Sequence, residues 1–257
     1  MRLLYIFAFI LPFTLVGMAH AEPTEITVRV ISKDAKFIGT SMGSMRVTLR
    51  DANTGEVLAS GLTSGGTGDT KRIMRGEGGR RARLSDDATA KFTATLEMAE
   101  PRLIEVEAYG PLAQLQSAHR VTSSQWVVPG RNISAGDGWV LELPGFVVDL
   151  LDPPAHIKLP GATSKVELRA NVIMMCGCPI EPNGEWDANR FEVKALIRRD
   201  GQSLASVPLT YAGAVSQFAG VVPVDAPGNY DVTVFAYDPS NGNTGLDRTT
   251  FSVEAKR

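Results

Sequence analysis

The sequence has little of what usually announces a chemistry. It holds 2 cysteines and 3 histidines in 257 residues, 7% of it is aromatic, and 26 basic side chains nearly balance 28 acidic ones. Two cysteines exclude a disulfide-dense scaffold and any four-cysteine zinc site. A formal charge of −2 leaves no overall basic footprint for nucleic acid. At 44% hydrophobic and 21% charged the chain is equally far from the composition of a disordered one, and it is long enough to bury a core without staples. Motifs are scarce too. There is no H-E-x-x-H, H-x-H, C-x-x-C-H, C-x-x-C or G-x4-G-K-[S/T], so zincin, haem, thioredoxin-like and nucleotide-loop readings find no foothold. A Ser/His/Asp set would have to draw on His119 or His156, because His20 falls within the N-terminal leader described next.

What is present begins at the N-terminus. Met1-Arg2 is followed by an apolar run from Leu3 to Leu15 and then by Gly17-Met18-Ala19-His20-Ala21. A charged start, a short apolar stretch and an A-x-A-like end form a signal peptide, residues 1–21, with cleavage expected after Ala21. The run is shorter than the ~20 residues that span a bilayer, and no later segment reaches that length. The expected product is an exported protein, periplasmic or secreted, in a compartment where disulfides persist.

Beyond residue 22 the hydrophobic period is two. Ile26, Val28 and Val30 alternate with Thr27 and Arg29; Val166, Leu168, Ala170 and Val172 share one face; so do Phe191, Val193, Ala195 and Ile197. This is the pattern of half-buried antiparallel strands. Turn signals such as Asn53-Thr54-Gly55, Pro129-Gly130, Pro160-Gly161 and Asn241-Gly242-Asn243 punctuate it at β-sandwich spacing. The expectation is an all-β protein of two tandem antiparallel β-sandwich domains, residues 22–149 and 150–257. The boundary is expected at Asp149-Leu150-Leu151-Asp152-Pro153-Pro154, where two prolines stiffen a short linker.

Pro227-Gly228-Asn229-Tyr230-Asp231-Val232-Thr233-Val234, Phe235-Ala236-Tyr237-Asp238, Gly242-Asn243 and Phe251-Ser252-Val253 resemble the last two strands of bacterial immunoglobulin-like or fibronectin-type domains. The resemblance implies a sandwich in the second half, a tyrosine corner at Tyr230, and a structural or adhesive role. Arg46–Ala59, a strand, a polar turn and a strand, resembles a prealbumin-like domain and implies a second sandwich in the first half.

The sharpest local feature is Met174-Met175-Cys176-Gly177-Cys178-Pro179, which holds both cysteines. Residues i and i+2 of an extended chain face the same side, so the two sulfurs meet. Three readings stay open: a local Cys176–Cys178 disulfide; a soft-metal site for Cu(I), with Met175 and His156 joining the two thiolates; or two small buried residues. With Ala155–Leu159 as strand A, Lys165–Met175 as B, Phe191–Arg198 as C and Tyr230–Tyr237 as F, the tripeptide opens the B–C loop, which shares one end of the sandwich with the F–G loop. That places Glu181, Glu185, Trp186 and Asp187 near Asp238, Asn241 and Asn243, with His156 and the linker close by. Trp186, Asp187, Asp238 and Asn241 are the partner-binding candidates there. His119 reads as a surface residue. A second candidate surface is the Gly-rich loop Thr63–Asp87, whose Lys71, Arg72, Arg75, Arg80, Arg81 and Arg83 suit an acidic partner or an anionic surface, against the alternative of a merely solvated loop.

The sequence thus leads to an exported, non-enzymatic accessory or binding protein that takes a partner protein, or a soft metal such as copper, at the domain junction. Neither nucleic acid nor a membrane span in the mature chain is expected. Two other classes remain beside it: a thiol–disulfide or copper redox enzyme using the cysteine pair, and a structural or adhesive surface module with a static disulfide.

Overall fold

The computed structural model describes residues 20–76 and 78–255. Residues 1–19 of the expected leader lie outside them, and the first strand begins at Glu22, directly after Ala21. The first half of the chain supplies β1 (Glu22–Ser32), β2 (Arg46–Asp51), β3 (Val57–Leu62), β4 (Phe92–Met98), β5 (Arg102–Gly110), β6 (His119–Val127) and β7 (Trp139–Leu143). They form two sheets, β4-β1-β7 and β3-β2-β5-β6. Between them lie Ile26, Val28, Val30, Val47, Leu49, Ile104, Val106 and Leu141, all buried. The alternation read from the sequence produces this: on β5 every second residue from Ile104 to Ala108 faces inward, while Glu105 and Glu107 stay half-buried on the other face.

The second half supplies β8 (Phe146–Asp152), β9 (Ile157–Leu159), β10 (Lys165–Met174), β11 (Glu192–Arg199), β12 (Gln202–Pro208), β13 (Thr210–Tyr211), β14 (Gln217–Pro223), β15 (Gly228–Tyr237) and β16 (Thr244–Val253). Their sheets are β13-β14-β10-β8 and β12-β11-β15-β16-β9, the D-E-B-A and C-F-G strand neighbours of an immunoglobulin sandwich. Tyr230 is fully buried, stacks on Phe251 at 4.8 Å, and donates its hydroxyl to the Ala226 carbonyl at 2.7 Å. This is the tyrosine corner that the resemblance implied.

Two expectations need correction. Asp149–Asp152 is not a linker but the end of β8, antiparallel to β10 from Phe146 to Asp152, and the Leu150 N–H is held by Asp247 at 2.8 Å. The chain passes from one core to the other at Pro144-Gly145, between β7 and β8. The Pro153-Pro154 pair marks a change of sheet: after it, β9 joins the opposite sheet, parallel to β16. Strand A of the sandwich is therefore β8, and Ala155–Leu159 is the segment beyond the switch. Within otherwise antiparallel sheets, β7 likewise runs parallel to its neighbour, β1.

Candidate functional site at the junction of the sandwiches

Strand alternation continues past the end of β10 and divides one short segment between two cores. Met174, Cys176 and Cys178 are buried in the second sandwich. Met175, between them, is buried in the core of the first. Gly177 turns the chain in the left-handed region at φ 79°, and its N–H donates to the Met174 carbonyl at 2.8 Å. A glycine is required there twice over, because a Cβ would also fall 2.6 Å from the Met42 sulfur of the first half. Cys176 and Cys178 are joined as a disulfide and are 1% and 4% exposed. A reactive sulfur centre needs solvent access for the attacking thiolate; this one is buried in the second core.

Hydrogen bonds complete the junction. Asn243, in the β15–β16 loop, accepts from the Gly145 N–H and donates its amide to the Gly145 carbonyl at 3.1 Å, clasping the crossing peptide on both sides. Asn241 donates to the Asp34 carboxylate, and its carbonyl accepts from Lys33 Nζ at 3.0 Å. The Trp186 indole donates to the Asp34 carbonyl at 3.0 Å. Arg75 meets Glu185 at 2.5 Å. Each of these bonds joins a group from before Pro144 with one from beyond it, or holds the crossing itself.

Around these contacts lies a cleft of about 440 Å³ lined by both halves. Asp34 and Met74 face it from the first. Glu185, Trp186, Asp187, Arg190 and Phe191 face it from the β10–β11 loop, and Asp238, Ser240 and Asn241 from the β15–β16 loop. Of the sequence candidates, Trp186, Asp187, Asp238 and Asn241 are thus brought together. Asp187 is held below the ordinary carboxylate range, first by the N–H groups of Asn189 and Asn183, then by the Asn189 side chain and the charge of Arg190. It also caps the 3-10 turn Ala188–Arg190. Asp238 accepts from Ser240 and Asn241. These hydrogen bonds hold both carboxylates in fixed positions.

The four candidate metal ligands do not converge. His156 bonds Thr250 through its backbone N–H at 2.7 Å and its ring at 3.0 Å, well along β16 from the cleft. The expected placement failed because strand A is β8, not the segment containing His156. Met175 points into the other core from the cysteines, and the two sulfurs are bonded to each other. Among the described residues no group of three or more His, Cys, Asp or Glu is placed to hold a metal ion. The histidine nearest the junction is His119: a Cβ on Gly145 would sit 3.3 Å from its ring and 3.4 Å from the Met175 methyl.

Sequence reasoning missed Met42, Asp34, Met74 and the Asn243 clasp. It also passed over Gly39-Thr40-Ser41-Met42-Gly43, which fits G-x-S-x-G. That motif carries nucleophilic chemistry on a strand–turn–helix, whereas here it forms a 3-10 turn at Thr40–Met42 whose Met42 is buried at the junction. No histidine is among the hydrogen-bond partners of Ser41 in the described residues.

The basic loop is a built element rather than a loose one. A single helical turn, α1 (Thr70–Arg75), is capped by Asp69, whose carboxylate accepts from the Arg72 N–H at 2.8 Å. Asp137, before β7, accepts from the N–H groups of Leu84 and Ser85 at 3.0 and 2.8 Å. Burial pushes the Asp137 carboxyl up, but these hydrogen bonds and the Arg29 charge outweigh it and leave its pKa below the ordinary value. Arg29 is 3% exposed and donates to the Asp137 carbonyl at 2.9 Å. Lys71, Arg72, Arg75, Arg80, Arg81 and Arg83 are all exposed.

No protein-family model matches the chain, and no curated protein matches it. Among solved structures it is similar to an engineered protein at 16% identity and a TM-score of 0.32, over 50% of this chain and 24% of that one. The fibronectin(III)-like modules of Clostridium thermocellum CbhA give 13% identity and a TM-score of 0.29, over 91% of this chain and 94% of that one. The titin domains Z1Z2 in complex with telethonin give 12% and 0.27, over 93% and 98%. The strand order of the second half is that of an immunoglobulin-type β-sandwich. Among the described residues no helix is long and apolar enough to cross a membrane.

Proposed function

We propose that this chain is an exported, non-enzymatic binding module that seats a partner protein in the cleft between its two sandwiches. The observation that carries this reading is the cleft itself: walls from both halves, held in place by Trp186, Asn241 and Asn243. Sites form preferentially where such units meet. The Phe191 ring and the carboxylates of Asp34 and Asp187 line the cleft, which suits a cationic side chain of the partner. A sandwich used for binding or adhesion needs no catalytic group, and the buried disulfide then acts as a fastening of the loop that lines the cleft. The redox-enzyme alternative would have to work through sulfurs buried in the second core.

A photo-crosslinking residue at position 190, on the cleft wall, tests the reading in cells that export the protein. A discrete adduct is expected from Arg190 and none from the same group at Ser203 on β12. No adduct at 190, or the same adduct from both positions, overturns it.

A further inference from the structure

The strongest charge asymmetry of the molecule lies in the basic loop, which touches the cleft through Met74 and Arg75. Lys71–Arg83 holds six basic residues and one acid, in a chain whose formal charge is −2, so the rest of the surface is markedly acidic. A run of like charge is ordinarily a mobile, solvated tail. Here it is fixed to the first sandwich by the Asp69 cap, by the Asp137 carboxylate on Leu84 and Ser85, and by Arg72 donating to the Ser85 carbonyl at 3.3 Å. Short-range bridges at Ser64–Lys91 and Gly66–Thr89 close its base. Of the six, Arg75 is spent on Glu185 and Arg83 on Asp87. Lys71, Arg80 and Arg81 have no ion-pair partner among the described residues.

We infer that the unpaired cations of this loop, Lys71, Arg80 and Arg81, form a dock for an acidic polypeptide segment. Two observations choose that partner. Five of the six are arginines, whose planar forks bind carboxylates with two hydrogen bonds. No large apolar side chain is exposed between Thr63 and Asp87, since Ile73, Met74 and Leu84 are half-buried against the fold. The loop therefore lacks the residues that would enter a lipid surface, and with no aromatic in it it lacks a platform for bases. Anchoring the loop's backbone beforehand removes part of the ordering entropy that a flexible tail would lose on binding.

The test is titration of the full exported chain with a decaglutamate peptide, alongside phosphatidylglycerol vesicles and a DNA duplex as competing anions. Saturable peptide binding is expected, weakening about tenfold between roughly 50 and 200 mM salt. The K71E/R80E/R81E variant should lose about tenfold or more in affinity, and K71Q/R80Q/R81Q, with less risk to the fold, should lose part of it. Ser203→Ala, on β12, should leave peptide affinity unchanged. Equal binding by the wild type and both loop variants overturns the proposal, as does stronger binding of vesicles or duplex than of peptide. Neither result bears on the cleft, whose own test is the adduct at position 190.

Discussion

Gly177 shows how much one residue of this chain carries, because its backbone conformation and its lack of a side chain are both in use. Substituting Gly177→Ala places a Cβ in the left-handed region, which costs about 1–2 kcal/mol, and sets it against the Met42 sulfur. A lowered thermal midpoint is expected, and Met42→Ala in the same chain should recover the part owed to the collision, so that the two changes are not additive. Strictly additive effects would show that the two halves do not touch at this point. The neighbouring sulfurs give a second expectation. With Cys176 and Cys178 at 1% and 4% exposure, a thiol assay of the native protein in mild reductant should find none free, and both only after denaturant is added. The meeting of the cysteines was legible, since residues i and i+2 of a strand share a side. Met42 was not, because its approach to Gly177 comes from a turn in the other sandwich.

At the scale of elements, alternation made most strands readable, and the tyrosine motif located β15. What alternation does not encode is which sheet a strand joins. β8 and β9 carry the same apolar period, and only the pairing of β8 with β10 and of β9 with β16 shows that Pro153-Pro154 separates two sheets rather than two domains. The loop Thr63–Asp87 was unreadable for a related reason: its anchor, Asp137, lies far along the chain in a turn of its own. The folded Asp137 carboxyl titrates below its ordinary value. It therefore contributes stability above its unfolded pKa of about 3.9, lost as pH falls through the lower folded value. The protection of residues 80–85 against hydrogen exchange, taken relative to the intrinsic rate at each pH, should fall upon acidification below about pH 4, ahead of the strands. Asp137→Asn should show lower protection already at neutral pH and little further change with acid. An unaltered acid dependence in that variant would assign the loosening to another group.

For the whole molecule, the question is whether two sandwiches behave as two. Their cores are distinct, yet each is completed by the other half: Val147 and Met175 are fully buried in the first core although their strands and turns belong to the second, and Ala35 of the first is buried in the second. Interfaces between domains of one chain are ordinarily polar and permit motion; this one is apolar at its centre and clasped by Asn243 around Gly145. A cleft whose two walls kept changing distance would offer a partner a poorly defined shape, so the rigidity of the junction and the use proposed for it belong together. Met175→Ala is the discriminating change. Deleting a buried methionine this way costs about 2–5 kcal/mol, and the loss is registered in the first core by a residue carried on the second. In calorimetry the wild type should unfold in one transition, and the variant in one transition at lower temperature, because stability removed at the junction is removed from both halves. Two resolved transitions in the wild type, only one of them displaced in Met175→Ala, would mean that the sandwiches fold independently and that the cleft between them is free to open.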